Sequence, residues 1–384
     1  MKDYKICVYT ICKNETQFVD KWIENMSEAD YICVLDTGSS DDTFNKLKEW
    51  QARFSKENNK CQIFVDREII NPWRFDVARN ESMKLIPDDT DIFVCTDFDE
   101  VFEPGWSTLL KNAWQDTTKR ASYLYTWSHR QNGENGRTFV YNKIHGKGYK
   151  WRFPVHECLA DAKTGLIDKD KSNYVWVDKM HLHHYPDQSK SRSSYLPLLE
   201  LRAKENPDDY FGLIYLCHEY YYREEYQKSI DLINKIISRD DFNSLTNTEK
   251  SSCYLFMGDD YRELGDFPNA IKCYLTSKDY DDTLREPYLK IASIMLDNNE
   301  FEPAIYYAKQ AIKVCKRHYS WLEKDNSWTY EPYDILALAS FYGGHKRDSL
   351  AYAYKACSFD PDNGRLKSNI KLILDNMSES ELIE

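Results

Sequence analysis

Short apolar segments alternate with helical patterns through the first 120 residues, and no other feature constrains the possible fold as strongly. Strand-length apolar runs and stretches of helical periodicity follow one another at 5–11, 18–26, 31–35, 42–51, 63–65, 77–85, 92–95 and 106–114. This spacing predicts a mostly parallel sheet with helices on both faces. Ligands of such sheets bind at the carboxyl ends of the strands. We therefore expect a ligand site where these strands end.

Two carboxylates, Asp97 and Asp99, follow the apolar run 91–95 after a single threonine, Thr96. If the strand continues through them, both side chains point to the same face, because strand side chains alternate. Such a pair can hold a divalent cation whose other ligands are water and substrate phosphates. Asp-x-Asp is common in acidic chains and most copies are solvated loop ends. The position after a strand, before the turn signal 103–105, favours the metal interpretation.

Composition places the chain among cytoplasmic, soluble proteins of two or three domains. Its 384 residues carry a net charge of −12, and most of this acidity lies beyond residue 190. That charge argues against nucleic acid or an anionic membrane as the partner of the C-terminal half. No apolar run is long enough to predict a membrane span or a cleavable leader. The eleven cysteines include no C-x-x-C pair and are predicted to be buried thiols.

The pattern changes twice after residue 120. From 121 to 184 it becomes short, aromatic and strand-like, which predicts an antiparallel extension of the sheet. Beyond 191 it is helical, and the segment 261–271 recurs as 296–305, with Phe267 and Phe301 separated by 34 residues (301 − 267). This is the tetratricopeptide period, although a generic helical bundle is the alternative. We expect an α/β domain at 1–190 and a helical repeat domain at 191–384, with weaker copies near Tyr226 and Leu350.

Five motifs occur in a fixed order, and together they resemble a known family. They are Thr10 with Lys13-Asn14-Glu15, Asp36-Thr37-Gly38-Ser39-Ser40-Asp41-Asp42-Thr43, Phe75-Asp76-Val77-Ala78-Arg79-Asn80, Asp97-Phe98-Asp99-Glu100 and Val155-His156-Glu157. This order is similar to that of the family 2 glycosyltransferases of GT-A fold. More narrowly, it resembles bacterial and phage members with C-terminal tetratricopeptide repeats, which are related to peptide S-glycosyltransferases.

The resemblance implies a Rossmann-like mixed sheet that binds a nucleoside-diphosphate sugar, with UDP as the expected nucleotide. By this resemblance Thr10 and Glu15 line the base and ribose pocket, and Asp36 accepts a hydrogen bond from uracil. Asp97 and Asp99 correspond to the site of Mg²⁺ or Mn²⁺ and the diphosphate.

Arg79 and Asn80 correspond to a motif that braces this site. The Arg79 guanidinium can face a phosphate or hold Asp36 in place. A solvated arginine on an amphipathic helix is the alternative.

The implied reaction is hexosyl or pentosyl transfer with inversion. A base must then take the proton of the acceptor while the metal neutralises the leaving diphosphate. Glu157 is the first candidate for this base, and Glu100 and Asp187 are weaker ones. A structural glutamate bonded to a backbone turn is the alternative for Glu157.

Histidines and cations near the end of the predicted domain complete the list of candidates. His183 is the expected additional metal ligand, with His184 as the second choice, because late histidines complete the coordination in several GT-A enzymes. Lys190 and Arg192 are expected to close over the diphosphate as a lid.

The acceptor is not identified by these motifs. The segment from Trp127 to Phe153 interleaves aromatic and basic residues, so it predicts either an acceptor cradle or a solvated sheet face. A peptide or protein side chain, a glycan, and a modified base of phage DNA are the acceptor classes considered.

Two other functions remain open. One is a tetratricopeptide scaffold whose α/β domain has lost activity; the other is a nucleotidyltransferase, which usually carries a Gly-rich basic loop after the first strand. Helical repeats also predict possible self-association.

Overall fold

The computed structural model describes four stretches of the chain, namely 3–130, 133–168, 171–187 and 195–378. The chain forms two compact units. The first comprises Met1–His129 and Thr138–Pro207, and the second comprises Arg130–Arg137 and Asp208–Glu384.

The first unit alternates strands and helices as the sequence predicts. Its elements are β1 (Ile6–Cys12), α1 (Val19–Met26), β2 (Tyr31–Asp36), α2 (Thr43–Lys56), β3 (Gln62–Arg67), α3 (Phe75–Met83), β4 (Ile92–Cys95), β5 (Glu100–Phe102), α4 (Trp106–Ala113), β6 (Arg120–Thr126), β7 (Thr138–His145), β8 (Tyr149–Arg152), β9 (Cys158–Asp161), β10 (Tyr174–His184) and α5 (Tyr195–Glu205).

Eight of the described strands form one mixed sheet in the order β3-β2-β1-β4-β7-β6-β10-β5. Strands β3, β2, β1 and β4 run parallel, and β7 is antiparallel to both of its neighbours. The predicted α/β unit with a mixed sheet is confirmed. The predicted antiparallel extension is wrong in one pairing, because β10 runs parallel to β6. The chain reaches β10 only after passing through β7 and the separate β8–β9 hairpin, and such a crossover permits parallel pairing.

The central strands are buried on both faces, which explains their continuous apolar sequences. Ile6, Val8 and Ile32 pack on one face with side chains of α1, α2 and α4. Cys7 and Cys33 alternate with them and pack on the opposite face, with residues of β8 and β9 and the end of α3. The thiols on this face are therefore core residues, as the sequence indicated.

After Asp208, all the regular secondary structure in the described part of the second unit is helical. Its helices are α6 (Tyr210–Tyr222), α7 (Tyr226–Ile237), α8 (Asn247–Glu263), α9 (Phe267–Tyr280), α10 (Glu286–Asp297), α11 (Phe301–Lys313), α12 (Asp325–Trp328), α13 (Glu331–Tyr342), α14 (Lys346–Phe359) and α15 (Gly364–Asp375), with a short 3-10 helix at Asp240–Ser244. Helices pack in sequential pairs, α6 with α7, α8 with α9, α10 with α11, and α13 with α14.

One turn geometry recurs between the two helices of each pair. A residue with positive φ stands two positions before the second helix, at Glu224 (φ 61), Gly265 (φ 76), Asn299 (φ 61) and Gly344 (φ 86). The left-handed residue ends the first helix and lets the chain reverse. Phe267 and Phe301, the predicted repeat positions, both begin a second helix. The helical repeat unit is therefore confirmed from its own turns.

The first unit ends at Pro207 and the second continues from Asp208, which is later in the chain than the predicted boundary after residue 190. Residue 190 itself lies outside the described residues. Helix α5 and its neighbour Pro207 belong to the first unit. Arg202 of α5 is buried and donates hydrogen bonds to the carbonyl oxygens of Val155 and His156, at 3.0 and 2.7 Å. These bonds bind the helix to the α/β unit. Every helix in the described stretches is too short or too polar to cross a bilayer.

Gly258 provides a test of the pairing between α8 and α9. A Cβ atom at this position would lie 2.5 Å from Cε1 of Tyr274, whose ring is fully buried. Gly258→Ala should lower the free energy of unfolding by about 1–3 kcal/mol, because a packed core resists added volume. Gly364→Ala is the matched control, since no atom lies within 4 Å of its added Cβ. Urea denaturation of both variants measures the difference; equal midpoints would contradict the close packing of α8 on α9.

Candidate functional site

The loops after β1 and β2 interlock at one edge of the sheet. The backbone N–H of Asn14 donates to Oγ of Ser39 at 2.9 Å, and the N–H of Ser40 donates to Oδ1 of Asn14 at 2.8 Å. The N–H of Glu15 donates to Oγ1 of Thr43 at 2.7 Å. Asn14 has φ 58, a conformation that asparagine tolerates better than most residues. The structure therefore brings the first two predicted motifs together.

Asp36 and Thr10 are both buried beneath these loops. Oδ1 of Asp36 accepts hydrogen bonds from the N–H groups of Gly38 and Ser39, each at 3.0 Å, and from Nε of Arg67 at 2.8 Å. The carboxylate thus shapes its own loop, and Arg67 is the arginine that holds it. Thr10 donates its hydroxyl to the carbonyl oxygen of Ile11. The predicted contacts of both residues with a base remain predictions.

Asp97 and Asp99 lie in a turn and not on a strand. Strand β4 ends at Cys95, and the N–H of Glu100 donates to the carbonyl oxygen of Asp97 at 3.1 Å. Strand alternation therefore does not govern this pair, and the two carboxylates have different partners. Oδ1 of Asp97 accepts from Arg79, whereas Oδ2 of Asp99 lies 3.2 Å from Nε2 of His184.

Arg79 is buried and lies at the centre of the charged residues. Its Nη2 donates to Oδ1 of Asp97 at 2.7 Å, its Nε donates to Oε1 of Glu157, and its Nη1 lies 3.2 Å from Sγ of Cys95. Burial opposes its charge, but Asp97 and Glu157 outweigh burial and raise the pKa of Arg79. The alternative of a solvated surface arginine is therefore wrong. Arg79 does not contact Asp36, which Arg67 holds.

Lys143 on β7 is a second cation at the site, partly buried, which the sequence placed in the possible acceptor cradle. Its Nζ lies 3.4 Å from Oδ2 of Asp97. Burial alone would raise the pKa of Asp97, but Arg79 and Lys143 outweigh burial and lower it well below its usual value. Asp97 is therefore ionised at neutral pH. A lysine within an aromatic strand was the only sequence signal for this contact.

Glu157 lies in a constrained loop. Phe153 (φ 83) and His156 (φ 48) adopt the left-handed conformation that non-glycine residues rarely adopt. Burial opposes the charge of Glu157, but Arg79 and then Lys143 lower its pKa. The predicted base is thus ionised and paired with Arg79. The alternative for Glu157 was a structural glutamate bonded to a backbone turn. The structure instead shows its carboxylate paired with the side chain of Arg79.

Asn80 binds the fold on both sides of its amide. Its Nδ2 donates to the carbonyl oxygen of Trp151 and its Oδ1 accepts from the N–H of Trp151, each at 2.9 Å. These bonds join α3 to β8. Asn80 thus braces the site indirectly, because both polar atoms of its amide bind the backbone of Trp151.

His184, and not His183, lies beside the Asp97–Asp99 turn. Successive residues of β10 point to opposite faces, so only one of the two imidazoles can reach Asp99. Burial lowers the pKa of His184, but the hydrogen bond to Asp99 outweighs burial and raises it. His183 instead lies 3.2 Å from Oε1 of Glu103. The predicted contribution of His183 to the Asp97–Asp99 site is therefore corrected to His184.

The remaining candidates have separate outcomes. Lys190 and Arg192 lie outside the described residues. Oδ2 of Asp187 accepts from Nε2 of Gln17 at 3.0 Å, near the loop after β1. Oε2 of Glu100 accepts from the N–H of Asp97 at 2.9 Å, and Glu100 is buried.

The segment from Trp127 to Phe153 does not form one basic face. Lys143 points to Asp97, and Nζ of Lys147 donates to the carbonyl oxygen of Asp88 at 2.6 Å. Arg130 belongs to the second unit, where it pairs with Asp325. Trp151 is buried in the core. The side chains of this segment therefore mainly stabilise the fold. The prediction of a continuous cradle built from all of them is wrong.

The arrangement concentrates fixed charges at the ends of β1, β2 and β4. Ionised Asp97 lies between buried Arg79 and partly buried Lys143, and Asp99 lies beside an imidazole; both carboxylates are partly exposed. Carboxylate oxygens and an imidazole nitrogen suit a divalent cation. Such a site can bind a phosphate-bearing ligand through a metal and through neighbouring cations.

No protein-family model matches the sequence, and no curated protein matches it. Among solved structures, MamA is similar at 16% identity, covering 44% of this chain and 89% of MamA, with a TM-score of 0.35. A thermophilic tetratricopeptide protein of Thermus thermophilus is 18% identical over 47% of this chain and 88% of its own, with a TM-score of 0.34.

A third similar structure is YrrB, described as a tetratricopeptide protein with an unusual peptide-binding site. It is 12% identical over 48% of this chain and 87% of its own, with a TM-score of 0.37. The assignment of a helical repeat unit here depends on the helices and turns described above.

The buried carboxyl group of Glu100 makes the free energy of unfolding depend on pH. Burial, and then the charge of Asp97, raise its pKa from 4.5 to about 7. Between these values the folded state keeps a proton that the unfolded state has released, so stability falls as the pH rises. We expect Glu100→Gln, which has no charge to bury, to gain stability relative to the wild type from pH 4.5 to 7. Urea denaturation at several pH values measures this difference in the free energy of unfolding. A difference that stays constant with pH would contradict the raised pKa of Glu100.

Proposed function

We propose that this chain is a glycosyltransferase that moves a sugar from a nucleoside-diphosphate sugar, with UDP as the expected nucleotide. The observation that carries the proposal is the meeting of three loops at the carboxyl ends of β1, β2 and β4. Two of them interlock through Asn14, and the third holds ionised Asp97 between the cations Arg79 and Lys143. Open α/β sheets bind nucleotides at this edge. The proposal includes the GT-A fold for the first unit.

A divalent cation, Mg²⁺ or Mn²⁺, fits the donor set at the turn. Asp99 and His184 offer an oxygen and a nitrogen 3.2 Å apart, and ionised Asp97 lies two residues before Asp99. When bound, the metal neutralises the charge that develops on the leaving diphosphate. Arg79 and Lys143 fix the orientation of Asp97, so the carboxylate needs little rearrangement when the donor arrives.

Glu157 is proposed as the base that receives the acceptor proton, with inversion at the sugar. Arg79 keeps its carboxylate ionised, so it is in the proton-accepting form at neutral pH. A carboxylate with a lowered pKa is a weak base, and the proton therefore moves as the new C–O or C–S bond forms. A peptide or protein side chain, or a glycan, is the proposed acceptor. A modified DNA base is the third acceptor class.

A scaffold without catalytic activity is the second candidate, and a specific observation favours it. Asp36 and Asn80, two of the residues expected to serve the donor, make their hydrogen bonds within the protein, Asp36 with its own loop and Arg67 and Asn80 with the backbone of Trp151. In that case the helical repeats would bind a protein partner or a second copy of the chain. Donor turnover distinguishes the two candidates.

Asp99→Asn is the sharpest test of transfer, because Asp99 is partly exposed and lies outside the ion pairs of buried Arg79 with Asp97 and Glu157. We expect metal-dependent release of nucleoside diphosphate from one member of a nucleotide-sugar panel. Loss of the carboxylate should slow release by about 100-fold, the usual cost of removing one stabiliser of developing charge. Asp178→Asn, at an exposed position on β10, is the matched control. Full turnover in EDTA would exclude the metal, and no turnover with any donor would favour the scaffold.

Glu157→Gln tests the base. Gln preserves the shape of the side chain, so donor binding should remain while transfer falls by about 10²–10⁴-fold. Isothermal titration with the donor and single-turnover transfer separate the two effects. A rise in donor Kd equal to the loss of transfer would instead assign Glu157 to positioning Arg79.

A further inference from the structure

Three side chains converge on the face of β10 opposite His184. Oε1 of Glu103 lies 3.2 Å from Nε2 of His183 and 3.5 Å from Nδ1 of His181, and the three ligand atoms lie within 4.8 Å of one another. We call this group the Glu103 cluster. It belongs to the first unit and shares no residue with the Asp97–Asp99 turn.

Strand pairing explains why these residues meet. His181 and His183 are two residues apart on β10, so their side chains share a face. Strand β5 pairs antiparallel with β10, and the N–H of Glu103 donates to the carbonyl oxygen of His181 at 3.0 Å. Backbone hydrogen bonds therefore hold the backbone of all three residues in fixed positions relative to one another. Surface side chains that meet only by chance would not be connected by strand pairing in this way.

The distances match those of a tetrahedral metal site. Ligand atoms about 2.1 Å from a zinc ion are about 3.4 Å apart when the angles are tetrahedral. The two distances from Glu103, 3.2 and 3.5 Å, already have this length. Binding therefore requires little movement of the carboxylate relative to either imidazole. The Glu103 side chain is 54% exposed, which gives an ion access from solvent.

The outer nitrogens of both histidines have partners. Nε2 of His181 lies 2.7 Å from Oγ1 of buried Thr126, and Nδ1 of His183 lies 3.1 Å from Nε2 of His129. If each outer nitrogen donates its proton to that partner, both inner lone pairs face the Glu103 carboxylate. A cation is then needed between them. Metal-binding histidines are oriented in this way by hydrogen bonds from the nitrogen that does not bind the metal.

We propose that Glu103, His181 and His183 bind a late first-row divalent metal ion, zinc above all, at a site separate from the Asp97–Asp99 turn. Two imidazoles and one carboxylate suit zinc, whereas magnesium prefers oxygen ligands. Water takes the fourth position. The ion joins β5, a three-residue strand at the edge of the sheet, to β10. The proposal does not depend on the function proposed for the Asp97–Asp99 turn.

Isothermal titration of zinc chloride into the chelator-treated full chain tests the proposal. We expect one high-affinity zinc site per chain in the wild type, and binding at this site at least tenfold weaker in Glu103→Gln and in His183→Gln. Zinc should also raise the Tm of the wild type, because an ion that binds only the folded state stabilises it. Neither Gln variant should show that rise. Cobalt(II) gives a second readout, since a tetrahedral site produces strong visible absorption that both variants should lose.

Two control variants locate the ion. His345 and Glu302 in the second unit form an exposed pair with Nε2 and Oε1 2.8 Å apart, so Glu302→Gln should leave zinc binding unchanged. Asp99→Asn should also retain one zinc per chain. Wild-type affinity in Glu103→Gln, or loss of zinc binding in Asp99→Asn alone, would overturn the proposal and assign the ion to the other turn.

Discussion

The buried guanidinium of Arg79 is the interaction on which the α/β unit and its candidate site depend. It joins three separate parts of the chain, because Arg79 lies on α3, Asp97 follows β4 and Glu157 precedes β9. A buried charge is tolerated only when it is paired, and breaking such a pair costs about 3–5 kcal/mol. The ion pairs therefore fix the Asp97 turn and the loop before β9 at the same time. The same ion pairs of Arg79 thus determine both the charges of the site and the positions of its loops.

This coupling explains why cations surround a carboxylate expected to bind a metal. Arg79 and Lys143 keep Asp97 ionised and oriented, while Asp99 pairs with His184. Glu100 takes the opposite role, because burial beside Asp97 raises its pKa to about 7. Neighbouring carboxylates thus differ in protonation because each has different partners. Division of roles among acidic groups is a common property of sites that handle charged substrates.

The helical unit is organised by a different and more local constraint. Each of four helix pairs turns through a residue with positive φ, and the second helix begins two positions later. Glycine or asparagine occupies three of these four turns, where either residue adopts the left-handed conformation at low cost. The repeat is therefore visible in both sequence and backbone. The α/β unit depends instead on contacts between residues far apart in the chain.

The sequence by itself determined the local structure: the strand–helix order, the loops after β1 and β2, and the repeated helical turns. Periodicity and turn residues act over a few positions, so these features could be predicted. The tertiary structure alone decided which side chains meet. It assigned Arg67 to Asp36, Lys143 to Asp97, and His184 in place of His183 to Asp99. These contacts depend on strand pairing over long separations and on a turn that breaks side-chain alternation, and neither is encoded by local spacing.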